Sequence, residues 1–140
     1  MPASTMNRPR PGPLLTVAAL VFVLSAIQSA AKPLLPGPEG FMLFGVLTDG
    51  PVEAVVARVH AALMLVLAYG VWRLKRYALW FLYFYGPYVL LNIALANMRY
   101  ELEPPVALPG PVFAALFTVI ALGVPGGTAY LLARRQPELT

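Results

Sequence analysis

Residues 52–98 read VEAVVARVHAALMLVLAYGVW over Val52–Trp72, RLKR over Arg73–Arg76 and YALWFLYFYGPYVLLNIALANM over Tyr77–Met98. Two long apolar stretches are thus separated by a short, strongly basic turn. A helix that crosses a bilayer needs about 20 mostly apolar residues to cover a hydrocarbon core of about 30 Å. Both stretches meet that length. Working outward, two further stretches, Pro13–Ala31 and Pro111–Ala133, come close to it or reach it. The expected fold is an all-α integral membrane protein, with four transmembrane helices in a compact bundle. The 140 residues then form a single membrane domain and leave no room for a soluble one.

Composition agrees with this reading. Hydrophobic residues make up 59 % of the chain and charged residues 11 %, against about 25 % charged in a typical soluble domain. The net charge of +4 is not a nucleic-acid signal, because the basic residues sit beside the ends of the spans and no basic run with interleaved aromatics stands apart from them. Cysteine is absent, which excludes disulfides, thiolate catalysis and cysteine-type zinc sites.

The basic residues orient the chain. Arg8 and Arg10 precede the first stretch, Arg73, Lys75 and Arg76 separate the second and third, and Arg134 and Arg135 follow the fourth. The other two links offset Lys32 with Glu39, Asp49 and Glu53, and Arg99 with Glu101 and Glu103. All three basic segments fall on one side of a four-span arrangement, so the positive-inside rule places both termini in the cytoplasm. Trp72, Tyr77 and Trp80 bracket the basic turn, where an interfacial aromatic belt belongs. The segment Gly70–Trp80 resembles the span, basic turn, span hairpin of many small bacterial membrane proteins. That resemblance implies a bacterial cytoplasmic membrane, and topology alone would produce it, so it carries no function. One alternative stays open. Arg8 and Arg10, the apolar Leu14–Ile27 and the small residues Ser29, Ala30 and Ala31 also suit a cleaved signal peptide.

The links are rich in turn formers. The tail 1–12 is expected to be flexible. The outer loop 32–51 holds Pro33, Pro36 and Pro38, followed by the apolar run Phe41–Leu47, too short to span. That run is expected to lie in the interface as a short helix or to fold back over the bundle. The link Arg99–Gly110 contains Pro104, Pro105 and Pro109 and is expected to be extended. Two spans contain helix breakers. Gly86-Pro87 predicts a kink in the third, because the proline removes a donor and crowds the carbonyl of Tyr83. In the fourth, Gly123 and Gly127 flank Pro125 as a G-x-x-x-G, which suits close helix packing or a hinge.

The polar residues inside the spans are the best functional hint. Gln28 lies near the outer end of the first span, Glu53, Arg58 and His60 in the outer half of the second, and Asn92 and Asn97 in the outer half of the third. Glu53 and His60, seven residues apart, share a helix face, whereas Arg58 points elsewhere. Tyr85, Tyr88, Asn92, Leu95 and Arg99 form one stripe, expected to face the bundle because polar groups facing lipid are costly. Gln28, Glu53, Arg58, His60, Tyr85, Tyr88 and Asn92 are therefore the candidate ligand-binding residues. Each also has a simpler structural role: Arg58 snorkelling to headgroups, His60 bonding Asn92 or Gln28, Asn92 as interhelical glue, Tyr85 and Tyr88 as core, Glu53 as a first-turn acid.

No cofactor or metal site is expected. A single histidine rules out H-E-x-x-H, and Glu53 with His60 supplies too few ligands for a closed zinc site. No nucleophile elbow or P-loop occurs. The incomplete catalytic set points away from an enzyme. Three classes fit: a non-enzymatic membrane protein that binds a partner subunit, lipid or small apolar ligand through an outer-leaflet polar cluster; a small oligomeric transporter or channel; and a lipid-active enzyme using His60. The bilayer is the expected partner, with a homo-oligomer or a partner membrane subunit beside it and no nucleic acid.

Overall fold

A computed structural model describes residues 10–34, 41–99 and 110–140, without the side chains of Asn97 and of residues 110–118. Four helices carry the fold: α1 Pro13–Ala31, α2 Gly50–Trp72, α3 Arg76–Arg99 and α4 Gly110–Arg134. Three are long and apolar enough to cross a membrane; the described apolar part of α4, Val119–Arg134, is shorter. The expectations for the tail before Arg10, for residues 35–40 and for 100–109 fall outside the described residues.

The helices start where proline permits. Pro13 opens α1 and Pro51 stands in the first turn of α2, positions where a missing N–H leaves nothing unpaired. Glu53 lies in the first turn of α2, where the helix dipole favours an acid. The prolines inside α3 and α4, Pro87 and Pro125, do not end their helices; both run through unbroken. Thr128 donates to the Val124 carbonyl at 2.6 Å, satisfying its hydroxyl within α4.

Each long helix exposes apolar side chains. On α1, Leu14, Val17, Leu20, Leu24 and Ile27 are all more than half exposed. Spaced three and four residues apart, they form one outward face, while Leu15, Ala18, Phe22 and Ala26 form the buried one. A helix that is apolar all round belongs in a core or in lipid, and no other element among the described residues covers the outer face of α1.

α1 lies along α2, and α3 along α4. The buried cluster joins α1 through Phe22 and Ala26, α2 through Ala61, Met64, Leu67 and Val71, and α3 through Ala78, Leu79 and Leu82. Its many alanines let backbones approach closely. The cluster is weighted toward the basic end of the molecule, where the turn Arg73–Lys75 joins α2 to α3. The Lys75 N–H bonds the Gly70 carbonyl at 2.7 Å and the Leu74 N–H bonds the Val71 carbonyl at 3.3 Å. This pair of bonds is a Schellman ending, with Leu74 in the left-handed position at φ 52°. Glycine is usual there. A leucine costs roughly 1–2 kcal/mol in that conformation, offset here by burial of its side chain to 1 % exposure. Residues 136–140 return to the same turn: Thr140 exchanges backbone bonds with Leu74 and Arg76, and Leu139 is buried in the core.

At the opposite end, the run Phe41–Leu47 is neither helix nor coil. It forms an antiparallel hairpin, β1 Phe41–Leu43 and β2 Val46–Thr48, with Met42 opposite Leu47. The hairpin packs against α2 and α3. The two-residue turn Phe44-Gly45 has positive φ at both positions, 48° and 68°, the pattern that matches strand twist in a tight hairpin. Thr48 closes it by donating its hydroxyl to the Phe41 carbonyl at 2.7 Å.

Candidate functional site

α2 and α3 meet at their shared turn but make few contacts beyond it. The gap between them, roofed by the hairpin, is a pocket of about 480 Å³. Val55, Val56, Val59, His60 and Leu63 line it from α2, and Phe81, Phe84, Tyr85 and Tyr88 from α3. Phe41, Leu43 and Phe44 close it from the hairpin. The volume falls in the range of small-molecule sites, which combine apolar walls with a few placed polar groups. Among the described residues no acid, lysine or arginine lines it, and Lys32 Nζ lies 5.8 Å over the ring of Phe41.

The polar groups form a line. Ser29 of α1 places Oγ 2.9 Å from His60 Nδ1, and His60 Nε2 lies 3.2 Å from the Tyr85 hydroxyl. Ser29 is buried and stands behind His60, outside the pocket wall. Two proton arrangements satisfy a neutral imidazole. In one, Tyr85 donates to Nε2, and the Nδ1–H donates to Ser29. In the other, Ser29 donates to Nδ1 and Nε2–H donates to the Tyr85 oxygen.

Aromatic rings hold this line in place. Phe41 lies 5.1 Å from the His60 ring, tilted at 55°. Along α3, Phe81 and Tyr85 have centroids 5.8 Å apart at 31°, and Tyr85 and Tyr88 are 6.2 Å apart at 36°. Phe44 from the hairpin meets Tyr88 edge-on at 5.4 Å. The positions 81, 85 and 88 share one helix face by their spacing of four and three. Unlike Tyr85, Tyr88 has no hydrogen-bond partner for its hydroxyl among the described residues.

Asn92 fixes the roof. Its Oδ1 accepts the Gly45 N–H at 2.8 Å and its Nδ2 donates to the Met42 carbonyl at 3.1 Å. Gly45 sits so close to α3 that a Cβ there would lie 2.7 Å from the Leu95 carbonyl carbon. Of the expected stripe on α3, Tyr85 and Tyr88 face the pocket and Asn92 and Leu95 meet the hairpin.

The remaining candidates lie elsewhere. His60 bonds Ser29 and Tyr85 rather than Gln28 or Asn92. Gln28 is exposed, one residue and so about 100° around α1 from Ser29. Arg58 is exposed, and neither its side chain nor that of Glu53 makes a hydrogen bond or ion pair among the described residues. No group of three acids or histidines gathers as a metal site among the described residues. Gly86, Gly123 and Gly127 each have open space where a Cβ would project, so the G-x-x-x-G face of α4 is not used against another described element. Ser29 and the hairpin residues were missed in the sequence as site residues. Ser29 had a signal in its depth, matching that of His60; the hairpin had only Gly45. No protein-family model matches the chain, and neither a curated protein nor a solved structure is similar to it.

Proposed function

We propose that the chain is a multi-pass protein of a bacterial cytoplasmic membrane, with both termini in the cytoplasm, that binds a lipid or small apolar ligand without transforming it. The observation that carries this reading is the apolar pocket of about 480 Å³ between α2, α3 and the hairpin. Binding is favoured over catalysis because Ser29, the one nucleophile paired with His60, does not line the pocket. A ligand there reaches the imidazole and the tyrosines but not the serine hydroxyl.

The orientation rests on the basic residues at one end of the bundle. A reporter fused after Arg135 should register the cytoplasm and one inserted within 101–109 the outside; the reverse result at both sites overturns the orientation. The pocket has its own test. Val56→Trp projects an indole into the gap from α2 and should leave a folded protein emptied of bound lipid. Mass spectrometry of the organic extract should show a species that copurifies stoichiometrically with the wild type and is lost from the variant. Identical extracts from both proteins would refute ligand binding in this pocket.

A further inference from the structure

Resting on the proposed binding role, a narrower class of ligand follows from the gap and its lip. The walls between α2 and α3 present almost no polar surface, so the part of a ligand that fills them is hydrocarbon. The hairpin roofs one end, and the close approach of Gly70 to Tyr77 and Ala78 shuts the other. The flank stays open. Val55, Val59, Leu63 and Phe84 line the gap and are exposed at the surface as well. The gap thus opens sideways, where a bilayer presents acyl chains. Chains fill such a void by contact alone and do not select one lipid over another. Selection needs charge.

The lip of the gap carries one. Arg58 stands beside the gap rather than in its wall. It follows Val55 by three residues, so the two are neighbours on the helix surface. Arg58 is exposed, and its side chain makes no hydrogen bond or ion pair among the described residues. Glu53, five residues back, is turned about 140° around the helix. Arg58 is also about 12 Å along the axis from Gly50, at 1.5 Å per residue. A charge that deep in an apolar helix is costly and normally finds a partner within its bundle. Side chains on a helix lean toward its N-terminus, and α2 begins at the hairpin end. The guanidinium therefore rises along the lip toward headgroup depth. Lys32 Nζ, 5.8 Å over the Phe41 ring, adds a second positive charge at that end.

We propose that this site binds an anionic phospholipid, with one acyl chain between α2 and α3 beneath the hairpin and the phosphate on Arg58. The guanidinium fork matches a phosphate with two parallel hydrogen bonds, and Lys32 adds to the positive field. The gap holds the chain, and Arg58 selects the headgroup by its charge.

The test uses the full chain in mixed micelles that hold equal amounts of phosphatidylglycerol and phosphatidylcholine with identical acyl chains. Retained lipid is counted by mass spectrometry of the repurified protein. The wild type should favour phosphatidylglycerol roughly three- to fivefold, the worth of an exposed ion pair. Arg58→Gln breaks no bond among the described residues, so it should melt as the wild type does, and it should lose most of that preference. Arg134→Gln removes the same charge at the opposite end of the molecule and should keep the preference. Val56→Trp should lose both lipids. Equal retention of the two lipids by the wild type, a preference undiminished by Arg58→Gln, or one lost as fully in Arg134→Gln overturns headgroup selection at Arg58 while leaving hydrocarbon in the gap. If the wild type retains neither lipid, or if Val56→Trp retains both, the binding role itself falls and the anionic lipid with it.

Discussion

Gly70→Leu should destabilise the bundle by about 2 kcal/mol, because it strikes the tightest approach between α2 and α3. A Cβ at Gly70 would lie 2.7 Å from Tyr77 Cε2 and 2.9 Å from Ala78 Cβ. Neither obstacle yields easily. The Tyr77 hydroxyl donates to the Val66 carbonyl at 3.0 Å, which straps its ring across α2. Ala78 is fully buried, and its Cβ moves only with the backbone of α3. Overpacking at such a site costs about 3 kcal/mol, against a gain of about 0.8 kcal/mol from replacing a helical glycine by leucine. Gly70 also provides the carbonyl that Lys75 caps, so pushing the helices apart loosens the turn as well. Gly86 is the control: nothing lies within 4 Å of its Cβ position, so Gly86→Ala should stabilise by up to about 1 kcal/mol. Thermal melting followed by the fluorescence of Trp72 and Trp80 separates the two. A Gly70→Leu variant that melts with the wild type would show that the helices do not touch there.

The long helices were legible because apolar length alone specifies them: Val52–Trp72 and Tyr77–Met98 differ from α2 and α3 only at their ends. Depth along the helix axis was legible too, and it brought Tyr85, Tyr88, Asn92 and His60 together as candidates. Rotation about the axis was not. Gln28 and Ser29 share a depth, but the face that α1 presents to α2 is set by Leu15, Ala18, Phe22 and Ala26, which turn Ser29 inward and Gln28 outward. The hairpin was hidden for a different reason. Phe41–Leu47 is apolar at every position except Gly45, so it shows no strand alternation, and its turn lacks the Asn-Gly or Asp-Gly pair that usually marks a tight hairpin. Its conformation is imposed by Asn92, 47 residues downstream of Gly45, and no local pattern reports a contact at that range. The same holds for Leu74, whose left-handed backbone is stabilised by burial rather than by propensity.

Asn92→Leu should release that hairpin and open the pocket. The asparagine amide satisfies two backbone groups at once, the Gly45 N–H and the Met42 carbonyl, and its orientation follows from their opposite polarity. Leucine is close in size and keeps the apolar contact while removing both bonds. Each backbone group left unpaired costs roughly 1–3 kcal/mol. The turn has little in reserve to absorb this, since Phe44 already holds a left-handed backbone at φ 48°, a conformation that costs a non-glycine residue roughly 1–2 kcal/mol. The remaining ring contacts are the edge contact of Phe44 with Tyr88, the tilted contact of Phe41 with His60 and Lys32 Nζ 5.8 Å over the Phe41 ring. The absence of native cysteine makes the state of the roof directly measurable. With Leu43→Cys as a reporter on the pocket side, maleimide should label the Asn92→Leu background at least about tenfold faster, the equivalent of 1.4 kcal/mol in the opening equilibrium. Asn92→Asp, which keeps the acceptor for Gly45 and loses the donor to Met42, should fall between the two. Because Phe41, Leu43 and Phe44 form one wall of the pocket, the faster-labelling variants should also be the ones that lose bound ligand. Equal labelling in all three backgrounds would mean that the hairpin is held by its aromatic contacts and that Asn92 does not clamp it.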